Sequence, residues 1–197
     1  MANGSELTKV KTGKVRASYV SLLKPKEEGG KYSVTLIIPK SDEATVKQMK
    51  AAIATVQAAE TSKLKGSKKN PVHDGDGERP NGGEYGPECK GAWIVTASSR
   101  TKPGVVKPMG VNADGRPKFK EIDDEKEVYS GMYVRASLNA YAYDVDGSRG
   151  VAFSINNIVK VSDGEFLGGR ASAEADFADD DFNYEEGFEA AEEEDSF

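Results

Sequence analysis

Between Met132 and Tyr143 the chain alternates without a break. Met132, Val134, Ala136, Leu138, Ala140 and Ala142 are apolar, while Tyr133, Arg135, Ser137, Asn139, Tyr141 and Tyr143 are aromatic, basic or small and polar. Side chains on a strand point alternately to two faces, so this period of two predicts a strand with one buried and one exposed side. The stretch DVDGSRG at 144–150 follows, and Asp146-Gly147 at its centre is turn chemistry. A return strand is predicted over Val151–Val161, with Val151, Phe153, Ile155, Val159 and Val161 on one face and Asn157 interrupting it. The whole is a long antiparallel hairpin with one apolar and one aromatic-polar side. Flat rings stack on the faces of bases whatever their sequence, and a nearby guanidinium suits a phosphate. An ordinary amphipathic strand whose tyrosines are covered by a loop or a partner has the same pattern.

The rest of the chain is mostly β with one helix. Leu7–Leu23 is β-rich, with Gly13 placed to let a long strand bend or bulge. KPKEEGG at 24–30 is a turn. Lys31–Ile38 is a strand with Tyr32, Val34, Leu36 and Ile38 on one face. Ser41-Asp42-Glu43 opens a helix with a capping hydroxyl and acids in its first turn. Val46, Met49, Ile53 and Val56 then recur at helical spacing, a stripe for packing against a sheet. Lys63–Gly91 is a long Gly/Pro/polar segment, and connections of that length are functional or disordered when they occur inside a domain. Its DGDGE run lacks the frame and the spaced glutamate of a calcium loop. Ala92–Ser99 is a strand in which Trp93 and Ile94 point to opposite sides. Arg100–Pro108 is a basic turn leading into a short strand near Val105–Val111, and Lys118–Val128 is expected as a charged turn or short helix. Five or six strands around one helix fit an elaborated OB-fold, a Greek-key β-barrel. The helix follows the second strong strand, whereas the usual five-stranded pattern places it after the third. Either Leu7–Leu23 counts as two strands, or the fold is elaborated.

Charge divides the chain in two. Ala171–Phe197 holds 12 acids and no Lys or Arg, so residues 1–170 hold 21 acids against 27 bases, a net of +6. The expected organisation is a folded domain over 1–170 and a disordered acidic tail over 171–197. A basic body suits a polyanion. Enzyme chemistry has little support. The nucleophile elbow G-x-S-x-G, the phosphate loop and H-E-x-x-H are absent, and His73 and Cys89 are far apart in sequence. One histidine and one cysteine cannot by themselves build a zinc site, and no metal or cofactor is expected. A single cysteine forms no internal disulfide, which fits a reducing cytoplasm. No apolar run reaches the roughly 20 residues of a membrane span, and the N-terminus has no apolar signal core.

Two stretches, KYSVTLIIPK at 31–40 and GMYVRASLNAYAYDVDGSRGVAFSINNIVKVSDGEFLGG at 131–169, together with the acidic end closing on DSF, resemble the phage single-stranded DNA-binding proteins of the Enc34 type. The single-stranded DNA-binding protein of phage T7 is more remotely similar. The resemblance implies an OB-fold that binds single-stranded DNA without sequence preference in replication, recombination and repair, in the cytoplasm of a bacterial host. It also implies a tail, ending in Asp195, Ser196 and Phe197, that recruits a polymerase, helicase or primase; a homodimer is compatible with it. Carried over by position, the DNA contacts are Tyr133, Arg135, Tyr141 and Tyr143, with Tyr32 and Trp93. Lys14, Arg16, Lys31, Arg100 and Lys102 in the neighbouring basic segments are further expected DNA contacts. Competing expectations are a metal-dependent nuclease and an OB-like virion or assembly protein.

Overall fold

A computed structural model describes residues 4–67 and 69–168. Its elements are α1 (Gly4–Leu7), β1 (Lys9–Lys11), β2 (Val15–Ser21), β3 (Tyr32–Pro39), α2 (Glu43–Ala59), β4 (Val72–Asp74), β5 (Ala92–Ser99), β6 (Gly104–Val111), β7 (Pro117–Glu121), β8 (Tyr133–Val145) and β9 (Ser148–Ser162). The tail expected over 171–197, with Asp195, Ser196 and Phe197, lies outside the described residues.

Five strands close on themselves in the order β2–β3–β5–β9–β8 and back to β2. All pairs are antiparallel except β5 with β9. A five-stranded Greek-key barrel of this kind is an OB-fold. β1 and β2 both run along β8, Val10 opposite Leu138 and Val15 opposite Val134. They are one barrel strand interrupted at Thr12–Lys14, so the helix does follow the second barrel strand and the fold is elaborated. Additions to the barrel are β4 on β5, and the β6–β7 hairpin, in which β6 runs parallel to β9.

The period-two pattern of β8 folds as expected. Met132, Val134, Ala136, Leu138 and Ala140 are buried, and they meet Val34, Leu36, Ile38, Val95, Phe153 and Ile158 in the barrel core. Each fully buried Val, Leu, Ile, Met or Phe side chain among them contributes about 1.5–3 kcal/mol. Asp146 and Gly147 have φ of 50° and 77°, as a two-residue hairpin turn with both centres left-handed requires. α2 lays Thr45, Met49, Ala52 and Val56 against the core, flanked by half-buried Val46 and Ile53. Its cap is the Asp42 carboxylate, accepting from the Thr45 amide at 3.1 Å, and not a serine hydroxyl.

Two local expectations are corrected. Pro117–Glu121 is a strand, paired with β6, and not a turn or helix. Its residues are all exposed, so it has no buried face to leave a period in the sequence. In β9, the register against β8 slips between Asn157 and Ile155. A one-residue bulge moves the following side chains to the opposite face. Ile158 is therefore fully buried, while Val161 is 40% exposed.

Candidate nucleic-acid interface

Residues directly opposite in a ladder share a face, so the register places the outward side chains of the barrel in rows. One row runs Tyr133 (β8), Arg16 (β2), Ile37 (β3), Ile94 (β5), His73 (β4). At about 4.8 Å per strand it spans roughly 19 Å, and its centre, Ile37 and Ile94, is buried in a cluster against which Tyr85 and Leu167 pack. The next row is Ser18, Thr35, Thr96, with the two threonine hydroxyls 3.1 Å apart. Small residues here leave a trough, and a cavity of about 360 Å³ lies over it.

The walls of the cavity come from two places. The register of β2 on β3 slips between Ser18 and Ser21, and Tyr19 takes a left-handed φ of 47°. Strict alternation would put Tyr19 inside with Val15 and Ala17; the bulge turns it out, 59% exposed, against the cavity. The opposite wall is the 79–89 segment, with Arg79 stacked 5.3 Å from the Tyr85 ring centre. The Lys63–Gly91 connection, whose role the sequence leaves open, is thus partly the roof of this trough. Its earlier part docks on the β8–β9 turn, where Lys69 Nζ donates to the Ser148 hydroxyl at 2.7 Å.

At the β8 end, Lys14 Nζ stands 4.6 Å and the Arg16 guanidinium 5.9 Å from the centre of the Tyr133 ring. Such cation–π pairs hold both charges over one platform. Arg16 spends two donors on carbonyls, those of Gly131 (3.4 Å) and Glu165 (2.8 Å), and its guanidinium also pairs with the exposed Glu165 carboxylate at 3.7 Å. The segment carrying Glu165 is a strap. Leu167 donates to the Ser130 carbonyl at 2.7 Å and packs its side chain on the Ile37–Cys89–Ala92–Ile94 cluster beside Tyr85.

The structure brings Tyr133, Arg135, Lys14 and Arg16 together. Tyr141, 37% exposed, and half-buried Tyr143 share their face but lie at the far end of β8, beside the hairpin turn. Lys31, Tyr32, Arg100 and Lys102 gather where β3 begins and β5 ends, Tyr32 opposite Ser99, and Lys102 pairs with Asp123 at 3.5 Å. Tyr32 keeps the inward parity of Val34. Trp93 also has inward parity, with Val95 and Ala97. It lines a cavity beneath α2 with Met49 and Ile53, and Lys40 sits 4.9 Å from its ring centre. It does not face the trough.

His73 and Cys89, distant in sequence, line the same cavity. They are not an activated pair. Burial, then the Glu88 carboxylate, pushes the Cys89 thiol up to about 11, and its Sγ donates to Glu88 at 3.8 Å. A nucleophilic cysteine needs the opposite shift. Burial holds His73 below the ordinary histidine range, so it is neutral at pH 7. Among the described residues no group of three His, Cys, Asp or Glu is placed to hold a metal ion, and no helix is long and apolar enough to cross a membrane.

An OB barrel whose outer trough is edged by tyrosines and arginines defines the class of OB-fold ligand-binding proteins. Within that class, residues 8–189 match the family described as Enterobacter phage Enc34, ssDNA-binding protein, and the chain belongs to this family. Its members are binding proteins, not enzymes. The chain is 28% identical over 190 residues to protein p50 of Acyrthosiphon pisum secondary endosymbiont phage 1, covering 87% of this chain and 93% of that one. The single-stranded DNA-binding protein from bacteriophage Enc34 superposes with a TM-score of 0.62 at 24% identity, over 87% of this chain and 90% of that chain. The same protein in complex with ssDNA superposes at 0.61 and 25%, over 82% and 90%. The single-stranded DNA-binding protein gp2.5 of bacteriophage T7 shares the fold at 0.52 and 15%, over 93% and 98%.

Proposed function

We propose that this chain coats single-stranded DNA without sequence preference during phage DNA replication, recombination and repair, in the cytoplasm of the bacterial host. The observation that carries this reading is the outward trough over Thr35 and Thr96, walled by Tyr19, Arg79 and Tyr85, with Lys14, Arg16 and Tyr133 on its β8 side. It offers rings for bases and guanidinium groups for phosphates. Membership of a family named for single-stranded DNA binding supports it. Bases enter the trough face-on, which a duplex forbids.

Titrating fluorescent poly-dT and a duplex of matched length at two salt concentrations tests this. Poly-dT is expected to bind more tightly. Its log K is expected to fall with log salt at a slope of roughly −3, from about four phosphate contacts at ~0.7 each. Equal affinity for the duplex would sink the proposal and leave a plain electrostatic binder.

The domain split at about residue 170 belongs to the same proposal. Residues 171–197, with 12 acids and with Phe177, Phe182, Tyr184, Phe188 and Phe197, act as a polyanion that competes with DNA for the basic body and as a docking segment for a replication polymerase, helicase or primase. The terminal Phe197 presents a ring and an α-carboxylate to a partner pocket with a basic rim, beside Asp195 and Ser196. Deleting 171–197 is expected to tighten poly-dT binding about three- to tenfold at low salt, with the gain fading as salt screens it. Deleting Phe197 alone is expected to leave DNA affinity unchanged and to weaken pull-down of the replication partner. Weaker DNA binding on full truncation would mean that the acidic segment belongs to the fold or to an interface.

A further inference from the structure

Beyond Tyr133 the outward face of the barrel continues into a second cavity, of about 560 Å³. Its floor is the outer face of β8 and β9, where Arg135 lies opposite Val159 and Ser137 opposite Asn157. Its wall is the β6–β7 hairpin, bent where the register slips between Pro108 and Gly110, with Phe119 opposite Pro108. Phe119 is 47% exposed and Val161 40%, so the cavity keeps apolar surface open. The charged side chains lining the cavity, Lys11 and Arg135, are both basic. Arg135 is fixed by donating Nε to the Thr12 carbonyl at 3.2 Å, which leaves its outer guanidinium nitrogens free of that bond. Lys118 and Lys120 flank Phe119 on the hairpin.

We infer that this cavity is a second nucleotide subsite, in which Phe119 stacks a base of the same single strand that fills the trough, while Arg135 and Lys11 hold its phosphates. This rests on the proposed single-stranded DNA reading. Four observations select a nucleotide over an apolar peptide or a second copy of the chain. The cavity is apolar at its floor but wholly basic at its charged rim, which matches a base on a phosphate backbone. Asn157 and Ser137 put an amide and a hydroxyl within it, suited to a base edge. Arg135 lies two residues along β8 from Tyr133, on the same face and about 7 Å away, so a strand leaving the trough past Arg16 and Tyr133 meets it next. The outer edge of the hairpin, β7, carries Pro117, Lys118 and Lys120, features that discourage pairing with another chain's strand.

The test compares oligo-dT of about 6 and about 16 nucleotides, near the two ends of the roughly 4–16 nucleotides covered by one OB-fold. The full-length proteins are wild type, Phe119→Ala, Phe119→Tyr and Tyr85→Ala. Phe119→Ala is expected to weaken the longer oligonucleotide about fivefold or more and to leave the shorter one unchanged; Phe119→Tyr restores the longer, and Tyr85→Ala weakens both. If Phe119→Ala binds both lengths as wild type does while Tyr85→Ala weakens them, the second subsite falls and the trough stands. Equal loss at both lengths also overturns it, because Phe119 would then belong to the primary site. Unchanged affinity with a shifted sedimentation coefficient overturns it in favour of a second copy of the chain. If wild type binds neither length, the single-stranded DNA reading falls and takes the subsite with it.

Discussion

Replacing Tyr19 with alanine is expected to weaken poly-dT binding by about 5- to 150-fold, the ~1–3 kcal/mol of one base–aromatic stack. The melting temperature should stay where it is. Tyr19 contributes little to the core: it is 59% exposed, and its recorded ring contact is the Lys26 ammonium at 5.8 Å. Its φ of 47° is no harder for alanine than for tyrosine. Backbone in that region costs of order 1 kcal/mol and persists where the surroundings over-determine it, and such outliers cluster at binding sites. The bulge that imposes it also aims the ring at the trough. Tyr19→Phe should therefore bind as wild type does. Tyr85→Ala should cost a similar amount, and the double variant less than the product, because one base between two rings is lost only once. Tyr133→Ala and Tyr141→Ala are expected to fall in the same 1–3 kcal/mol range, and Arg135→Ala to flatten the salt slope by ~0.7, one phosphate's share. Wild-type affinity in both Tyr19→Ala and Tyr85→Ala would remove the trough from the binding surface.

The contrast between Tyr133 and Tyr19 shows what could be read from the chain and what could not. Tyr133 sits in an unbroken alternation of apolar and polar residues, and a buried face enforces that register, so its outward direction is written locally. The Asp146-Gly147 turn is equally local, since both centres need φ above zero. Tyr19 follows Val15 and Ala17 at the same parity, and nothing in VRASYVS announces the bulge that reverses it. The bulge at Asn157 in β9 is hidden in the same way. Arg16 meets Tyr133 through a pairing that joins residues more than 110 apart, which no local pattern encodes. The roof was harder still. The 79–89 segment is polar and glycine-rich because it lies on a surface, and only its contacts with β3 and β5 give Arg79 and Tyr85 a role. Trp93 shows that residue type alone does not give direction. An aromatic residue in a strand looks like a stacking platform, but its parity turns it under α2.

Replacing Gly131 with alanine is expected to lower stability by about 2–4 kcal/mol and the melting temperature by about 4–16 °C, at the ~2–4 °C per kcal/mol of a chain this size. Two costs coincide there. Gly131 has a φ of 118°, which L side chains rarely adopt, and a Cβ would run into the Glu165 carbonyl of the strap. The backbone has no freedom to retreat. The Gly131 amide donates to the Ala17 carbonyl at 2.7 Å, Ala17 returns a bond to Met132 at 2.9 Å, and the Leu167 amide is bonded to Ser130. Gly147→Ala separates the two costs: its φ is 77°, but a Cβ there meets nothing within 4 Å, so about 1 kcal/mol is expected. Yielding at Gly131 means lifting the strap, and the strap's Glu165 carbonyl occupies an Arg16 donor in the proposed DNA site. Gly131→Ala should therefore leave poly-dT affinity at low salt equal to wild type or higher, at temperatures below its lowered transition. A melting temperature within a degree of wild type would show that the strap does not rest on Gly131, and a loss of affinity in the folded variant would show that Arg16 depends on the strap for its position.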